Sequence, residues 1–499
     1  MRNIRVFIEA LKEQGNLAEF KDEVDWSLEA SSMSAVSAEK FGPALHFTKV
    51  KGYPRASLAS GLYCGPTTLF PQDVTFWQNA AIGLGLKRDI RWVSLLATLM
   101  ERYEHRILPV EVSSGPVKEK VMLGDDVNIT EFPIPFIHTG DGGCYINLAT
   151  LIIKDPETGW ETWKAPRFQV VDGKILLGVL PEDTEEGRIF KKYKELNRPM
   201  PFCIVIGPPP PVTLVSYLAV PSGESCAAIA GGLNLDPIEL NKAETNDMMV
   251  PSQAEIVLEG EVSPKAVLAD EGPYPEFWFY TDKAPAPVFN IKAVTCRSEP
   301  IIPFSVDGAK PYDDNHNLMS IMIAFELYRR CQVVRNYPIS WIQLPLEFNL
   351  NVVVVQGPIP FHGYVAWVCK YILSQTRHFR SLFNKVIIVD QMIPEIALEE
   401  VMVEIALKTH AAEGFRFVDE MPIGPNVRCL SAEERKRGTQ SGIYIDTTWP
   451  KGWTKEDIPR RVGIEGSYPE ELINKVVKNY NRLGLKGKPI IYPESIVPF

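Results

Sequence analysis

The stretch Glu255-Ile-Val-Leu-Glu-Gly-Glu261, followed by Asp270-Glu-Gly-Pro-Tyr-Pro-Glu276, runs from a strand into a segment bracketed by glycine and proline. Its apolar centre predicts a strand over 255–259. Glycine and proline then restrict the backbone that carries Glu271 and Glu276, so these two carboxylates are positioned rather than loose. Loops held by a rigid sheet are common seats of catalytic groups. Two neighbouring carboxylates raise each other's proton affinity, and a nearby arginine lowers it again. Such a set can keep one carboxyl protonated near neutral pH, as proton transfer requires. A solvated acidic loop has the same composition, and geometry is needed to separate the two.

Outward from this stretch, further strands are expected at 146–154, 167–171, 175–180, 202–206, 288–295 and 301–305. Asp155-Pro-Glu-Thr-Gly159 has the residues of a hairpin turn between two of them. A charged helix is expected at 185–196, and the four prolines of 207–211 continue neither a helix nor a central strand. The region from 110 to 310 therefore reads as a β-rich barrel or sandwich. Before it, Ile4, Phe7, Ile8 and Leu11 mark one face of a helix stopped at Gly15, and 60–71 reads as loop. After Asp314 the pattern changes to alternation. Helices at 318–331 and 396–407 (the latter behind Pro394), with buried strands at 352–356 and 386–390, suggest an α/β layer. Leu472, Ile473, Val476, Val477 and Tyr480 form the stripe of a last helix, expected to dock on a neighbouring subunit. The fold class is α+β.

With 499 residues, 45% of them hydrophobic and 23% charged, the chain can bury cores for two or three domains. A net charge of −10 with no basic stripe argues against a nucleic-acid partner. No run of 18 uncharged apolar residues is present, and Arg, Glu and Lys interrupt the N-terminal stretch, so neither a membrane span nor a signal-peptide core is expected. The expected location is the cytoplasm. The eight cysteines form no CxxC pair and read as reduced thiols. Small basic clusters at 377–380 and 434–437 are available for an anionic ligand.

The segments PIPFIHTGDGG (133–143), WETWKAPR (160–167), ETNDMMVP (244–251), AEIVLEG (254–260) and EGPYPE (271–276) occur in an order and spacing that resembles the UbiD decarboxylase family. The likeness covers nearly the whole chain and is clearest from 110 to 310. It implies an N-terminal α/β region (1–110) and a split β-barrel that binds prenylated FMN (111–312). It further implies a C-terminal α/β oligomerisation domain (313–465) and a terminal helix and tail (466–499). The implied reaction is reversible, non-oxidative decarboxylation or carboxylation of an aromatic or α,β-unsaturated acid. The family's Glu–Arg–Glu network falls on Glu271, Arg167 and Glu276. Glu276 would give or take the proton while Arg167 and Glu271 orient it. The neighbours Trp163, Phe168 and Val170 independently favour a partly buried Arg167, and a buried guanidinium needs a carboxylate. The implied cofactor contacts are Thr162, Trp163, Ala165, Pro166, Arg167, Ser216, Tyr217, Leu218, Cys226 and His378. The implied partners are the acid, CO2, further copies in a dimer or hexamer, and a flavin prenyltransferase as cofactor source.

The family also holds a divalent metal (Mn, Mg or Fe) through Asn, His and Glu, with K+ nearby. Those positions fall here on Thr162, on Thr184 or Glu185, and on Cys226, with Glu224 two residues from the last. Such a set does not reproduce a hard oxygen/nitrogen site. Either Arg377, His378 and Arg380 bind the phosphate directly, or the chain is a cofactor-poor accessory subunit of a multi-subunit aryl carboxylase. The run 186–196 resembles the phenylphosphate carboxylase branch, in which such assemblies occur. A paired-carboxylate glycoside hydrolase would use similar residues and no flavin. Phe277-Trp-Phe-Tyr280 offers a wall for an aryl substrate, with core packing expected for at least two of the rings, and His316 is expected to cap the helix that follows.

Overall fold

The computed structural model describes residues 1–40, 42–64, 76–265, 267–308, 313–361, 363–390, 398–424, 427–450, 452–454, 456–459, 462 and 467–479. Asn3 caps the first helix, Ile4–Glu13, by accepting from the Val6 N–H at 3.0 Å, and Phe7 and Leu11 on its inner face are fully buried. The helix covers a four-stranded sheet in the order Leu17–Val24, Ala44–Val50, Ser57–Ser60, Ile301–Phe304. The last of these was expected among the strands of the middle region. It instead leaves that region and pairs in parallel with Ser57–Ser60. All four of its residues are buried, a pattern that a continuous apolar run cannot assign to one sheet or another.

The middle of the chain forms a ten-stranded sheet. Its path runs Tyr145–Ile146, Phe168–Val170, Ile175–Gly178, Ala284–Cys296, Ile256–Val262, Met200–Ile206, Ala149–Lys154, Glu161–Lys164. Lys120–Leu123 and Leu268–Glu271 also pair with Ala284–Cys296. Every pairing is antiparallel. Among the described residues the two end strands do not pair, so the sheet is open rather than a closed barrel. Asp155–Gly159 does make a hairpin turn, but its second strand is Glu161–Lys164, a run too short and polar to stand out in the sequence. Alternate residues enter two different cores. Cys203, Val205 and Val257 join one, while Phe202, Ile204, Ile206, Ile256 and Leu258 join the other. That two-residue alternation sets the register, because a slip by one residue would exchange the faces.

The prolines after Ile206 end a strand and start a helix, Pro210–Ser216, with Pro210 and Pro211 in its first turn, where no backbone donor is lost. The C-terminal layer is a five-stranded sheet: Trp341–Gln343, Val352–Gln356, Lys385–Val389, Thr439–Thr447, Phe415–Pro422. The middle three strands are parallel and the outer two antiparallel. The helices Asp314–Arg329, Tyr364–Gln375 and Leu398–Lys408 accompany it. The helix expected at 396–407 is thus found from Leu398, with 396 and 397 outside the described residues. The last helix is Glu470–Asn479, on which Leu472 and Val476 are exposed; Tyr480 and the Val477 side chain lie outside the described residues, as does 65–71 of the expected loop. Among the described residues no helix is long and apolar enough to cross a membrane, and all eight cysteines are free thiols.

Candidate active site

Close backbone approach first brings the two halves of the site together. Gly142 donates to the Pro273 carbonyl at 2.8 Å, and a Cβ on Gly142 would lie 2.1 Å from the Gly272 oxygen. Only glycine fits there. Gln169 ties the same two segments, donating to Gly142 O at 2.8 Å and accepting from Gly272 N at 2.9 Å. The segment after Gly272 then folds into a small hairpin, Pro275–Glu276 against Phe279–Tyr280.

Arg167 lies just before the strand Phe168–Val170, and Glu271 ends the strand Leu268–Glu271. Their side chains meet in a two-point ion pair, Nε to Oε1 at 2.9 Å and Nη2 to Oε2 at 3.1 Å. Glu271 is 2% exposed and Arg167 14%. The guanidinium also sits 4.5 Å over the Tyr274 ring and 3.6 Å from Glu276 Oε1. Burial opposes the charge on Arg167, but Glu276 and Glu271 more than offset this and raise its pKa above the usual arginine range. Arg380, from the C-terminal layer, reaches the same Glu276 oxygen at 3.5 Å. Arg380 was expected at a phosphate; its observed carboxylate partner is Glu276. Three of the other four acids of the opening stretch are structural, and Asp270 is exposed. Glu255 pairs with Arg5 and Arg297, Glu259 accepts from the Glu244 and Thr245 backbone, and Glu261 pairs with Lys292.

Arg167 and Glu276 face a cavity of about 960 Å³, while Glu271 stands behind Arg167, outside its lining. That volume is at the upper end of the roughly 300–1,000 Å³ typical of small-molecule and cofactor sites. Of the other residues expected at a cofactor, Ala165, Pro166, Ser216, Tyr217, Leu218 and His378 line it. Thr162, Trp163 and Cys226 do not. Trp163 packs in the core, Thr162 is fully buried, and Cys226 is 2% exposed. The helix Pro210–Ser216 presents Ser216–Leu218 at its C-terminal end. Phe277, Met319, Ile323 and Phe379 give the cavity an apolar section. Of the aromatic run, only Phe277 is buried, edge-on to His316 at 5.3 Å, whereas Phe279 and Tyr280 are half exposed and do not pack in a core.

The capping role expected of His316 belongs to Asp313, whose carboxylate accepts from the His316 N–H at 2.7 Å and also pairs with the His316 ring. Burial disfavours a charged His316, yet Asp313 outweighs it and the pKa is raised. Beside it, Tyr274 donates to Asp307, which also accepts from Asn315 at 2.8 Å; Tyr217 donates to Asn315. Burial, with Asp313 adding, pushes Asp307 up to about 7. This value lies above the 3.8 of an unperturbed aspartate, so between about pH 4 and pH 7 the native chain holds a proton that the unfolded chain has released. The stability from this group is therefore present at low pH and lost as pH rises through about 7. Asp307→Asn should gain on the native protein by up to about 1.4 kcal/mol per pH unit in that interval. Urea unfolding of both proteins at pH 5 and pH 7 measures this, and parallel stabilities would place the titration elsewhere.

The residues at the expected metal positions do not fit a divalent ion. Thr162 donates its hydroxyl to Glu185 at 3.2 Å, and the Glu185 carboxylate is already paired with Lys164 at 2.9 Å. Thr184 caps the helix Glu185–Glu195. Cys226 donates to the Glu161 carbonyl, and burial pushes its thiol up to about 12. Glu224 pairs with Arg106. Among the described residues no group of three or more His, Cys, Asp or Glu could hold a metal.

Residues 8–94 match the family model described as the 3-octaprenyl-4-hydroxybenzoate carboxy-lyase N-terminal domain, and residues 109–311 match its Rift-related domain. Together these span more than half of the chain. Pyrrole-2-carboxylic acid decarboxylase of Pseudomonas aeruginosa is 28% identical, over 97% of this chain and 98% of its own length. Ferulic acid decarboxylase 1 of Saccharomyces cerevisiae is 27% identical with the same coverage. Among solved structures, the UbiD-class enzyme HmfF from Pelotomaculum thermopropionicum in complex with FMN superposes with a TM-score of 0.78 at 26% identity, covering 93% of this chain and 98% of that one. The closed form of vanillic acid decarboxylase from Sedimentibacter hydroxybenzoicus shares the fold with a TM-score of 0.81 at 24% identity, covering 97% and 99%.

Proposed function

Because this chain belongs to the UbiD family, we propose that it is a carboxy-lyase that removes CO2 from an aromatic or α,β-unsaturated carboxylic acid, or adds it, with prenylated FMN. The observation that carries the reading is the convergence of Arg167 with Glu271 and Glu276, from a second and distant stretch of the chain, beside a cavity large enough for a tricyclic ring. The acids in the relatives' names, pyrrole-2-carboxylic and ferulic, are of this class, and HmfF is known with prenylated FMN as well as FMN.

Prenylated FMN, when bound, supplies the sink for the electrons left by the departing carboxylate. Ala165, Pro166 and Ser216–Leu218 would hold its ring, and the cationic residues of the cavity its phosphate. Glu276 hands its proton to the substrate carbon that has lost CO2, and in carboxylation takes a proton from that carbon. Arg167 and Arg380 stabilise the carboxylate that results, since both reach its Oε1. Glu271, fixed by its two-point bond, keeps the Arg167 guanidinium in plane and aimed at Glu276. Phe277, Met319, Ile323 and Phe379 exclude water from the reacting carbon. The complete acid–arginine set, with Arg167 and Glu276 facing the cavity and Glu271 behind Arg167, supports an active enzyme over a cofactor-poor accessory subunit. The exposed Leu472 and Val476 of the last helix support docking on a second copy of this chain.

Co-expression with a flavin prenyltransferase should yield a coloured protein whose extracted small molecule has the mass of prenylated FMN. It should release CO2 from members of an aromatic and unsaturated acid panel that includes pyrrole-2-carboxylate and ferulate. A colourless protein carrying no modified flavin would overturn the cofactor assignment.

A further inference from the structure

The misfit at the metal positions has a positive counterpart in the same place. Lys164, on the strand Glu161–Lys164, projects into the cavity with its side chain only 16% exposed. Its ammonium is fixed from two sides, by Glu185 at 2.9 Å and by the Leu218 carbonyl at 3.3 Å. Thr162 supports the arrangement by donating to the same Glu185 carboxylate. Glu185 opens the helix Glu185–Glu195, and Arg188 lies one turn further along the same face of that helix. Arg188 lines the cavity, as do Arg330, Arg377 and His378. Among the described residues Arg188 and Arg377 have no carboxylate partner, whereas Arg330 is engaged by Glu326. A bare Glu185 facing the cavity would repel an anion, and a divalent ion would correct this by ligating it. In this chain the lysine already does so, and Arg188 and Arg377, which pair with no carboxylate among the described residues, line the cavity together with Asp183 and Glu186.

We propose that this chain anchors a flavin phosphate without a divalent metal: Lys164, locked by Glu185 and the Leu218 carbonyl, presents its ammonium to the phosphate, and Arg188 and Arg377 complete the cationic cradle. The proposal rests on the flavin reading for the identity of the ligand and goes beyond it in assigning the phosphate site. Ammonium and guanidinium groups bind phosphate through charge-assisted hydrogen bonds that need no metal, and guanidinium adds a planar fork. Such a site has a weaker claim on ion identity than a metal site, and it is sensitive to ionic strength because its arginines are near solvent.

The test uses the full-length chain freed of metals with a chelator and titrated with FMN and with riboflavin, followed by flavin fluorescence. FMN should bind with the same affinity, within about twofold, with or without added Mg2+ or Mn2+, and more weakly at high salt. Riboflavin, lacking the phosphate, should bind at least about tenfold more weakly than FMN. Lys164→Met should weaken FMN by about tenfold while leaving riboflavin unchanged, and Lys164→Arg should restore most of the loss. Arg377→Gln, at an exposed position that does not endanger folding, should weaken FMN about threefold and flatten the salt dependence. An affinity for FMN that rises tenfold on adding Mg2+ or Mn2+ would overturn the proposal and leave the flavin reading intact, as would an unchanged FMN affinity in both Lys164→Met and Arg377→Gln. Failure to bind either flavin under all conditions would remove the flavin reading and this inference with it.

Discussion

Glu276→Gln is expected to lower CO2 release by about 10²–10⁴-fold, the range over which a positioned acid contributes to proton transfer, while the protein still folds and keeps its bound chromophore. The amide has the shape of the acid and can still accept from Arg167 and Arg380, whose distances to Glu276 are 3.6 and 3.5 Å, but it has no proton to give. These longer contacts matter to the reading. Glu276 is not locked as Glu271 is, so its replacement removes little structure, and the loss falls on chemistry. Exchange of solvent deuterium into the reacting carbon should fall in step with CO2 release. A variant that keeps either activity near the native rate would exclude Glu276 as the acid.

Local pattern was enough to read the strands of the middle region, because alternate residues of 202–206 and 256–258 enter two cores and are all apolar. It was also enough for the helices at 185–196 and 318–331, which are observed at Glu185–Glu195 and Asp314–Arg329. The site was legible in part for a different reason. Glycine and proline at 272 and 273, and the glycine at 142, are needed for one close approach, so their spacing survives as a motif. What was hidden has no local period. Arg380 comes onto Glu276 from another layer, and nothing near 380 distinguishes a guanidinium that meets a carboxylate from one that meets a phosphate. Gln169 was read only as a strand residue, yet it ties Gly142 to Gly272. Lys164 carries no local mark of its role either, since its pairing with Glu185 joins a strand to a helix start 21 residues further on. Ile301–Phe304 joined the wrong sheet in the sequence reading because a fully buried strand looks alike in any sheet.

Arg167→Met should separate the structural from the chemical part of the site. Glu271 is 2% exposed, and its carboxylate takes two bonds from the Arg167 guanidinium. Removing the arginine strands a buried charge, which typically costs about 3–5 kcal/mol. The variant should unfold at correspondingly lower urea concentration. Adding Glu271→Gln removes the stranded charge, so the double variant should recover at least about 2 kcal/mol, a coupling within the range found for residues in direct contact. Activity should not follow. In both variants Glu276 lacks the guanidinium that stabilises it after proton release, and turnover should stay at least about 100-fold below native, as when one preorganised donor is lost from an active site. Arg167→Lys sharpens the distinction, since a lysine keeps the charge and cannot reproduce the two-point fork. It should be closer to native in stability than in rate. Equal recovery of stability and turnover in the double variant would make Arg167 a structural ion-pair partner only, and would leave Glu276 with Arg380 alone to support it.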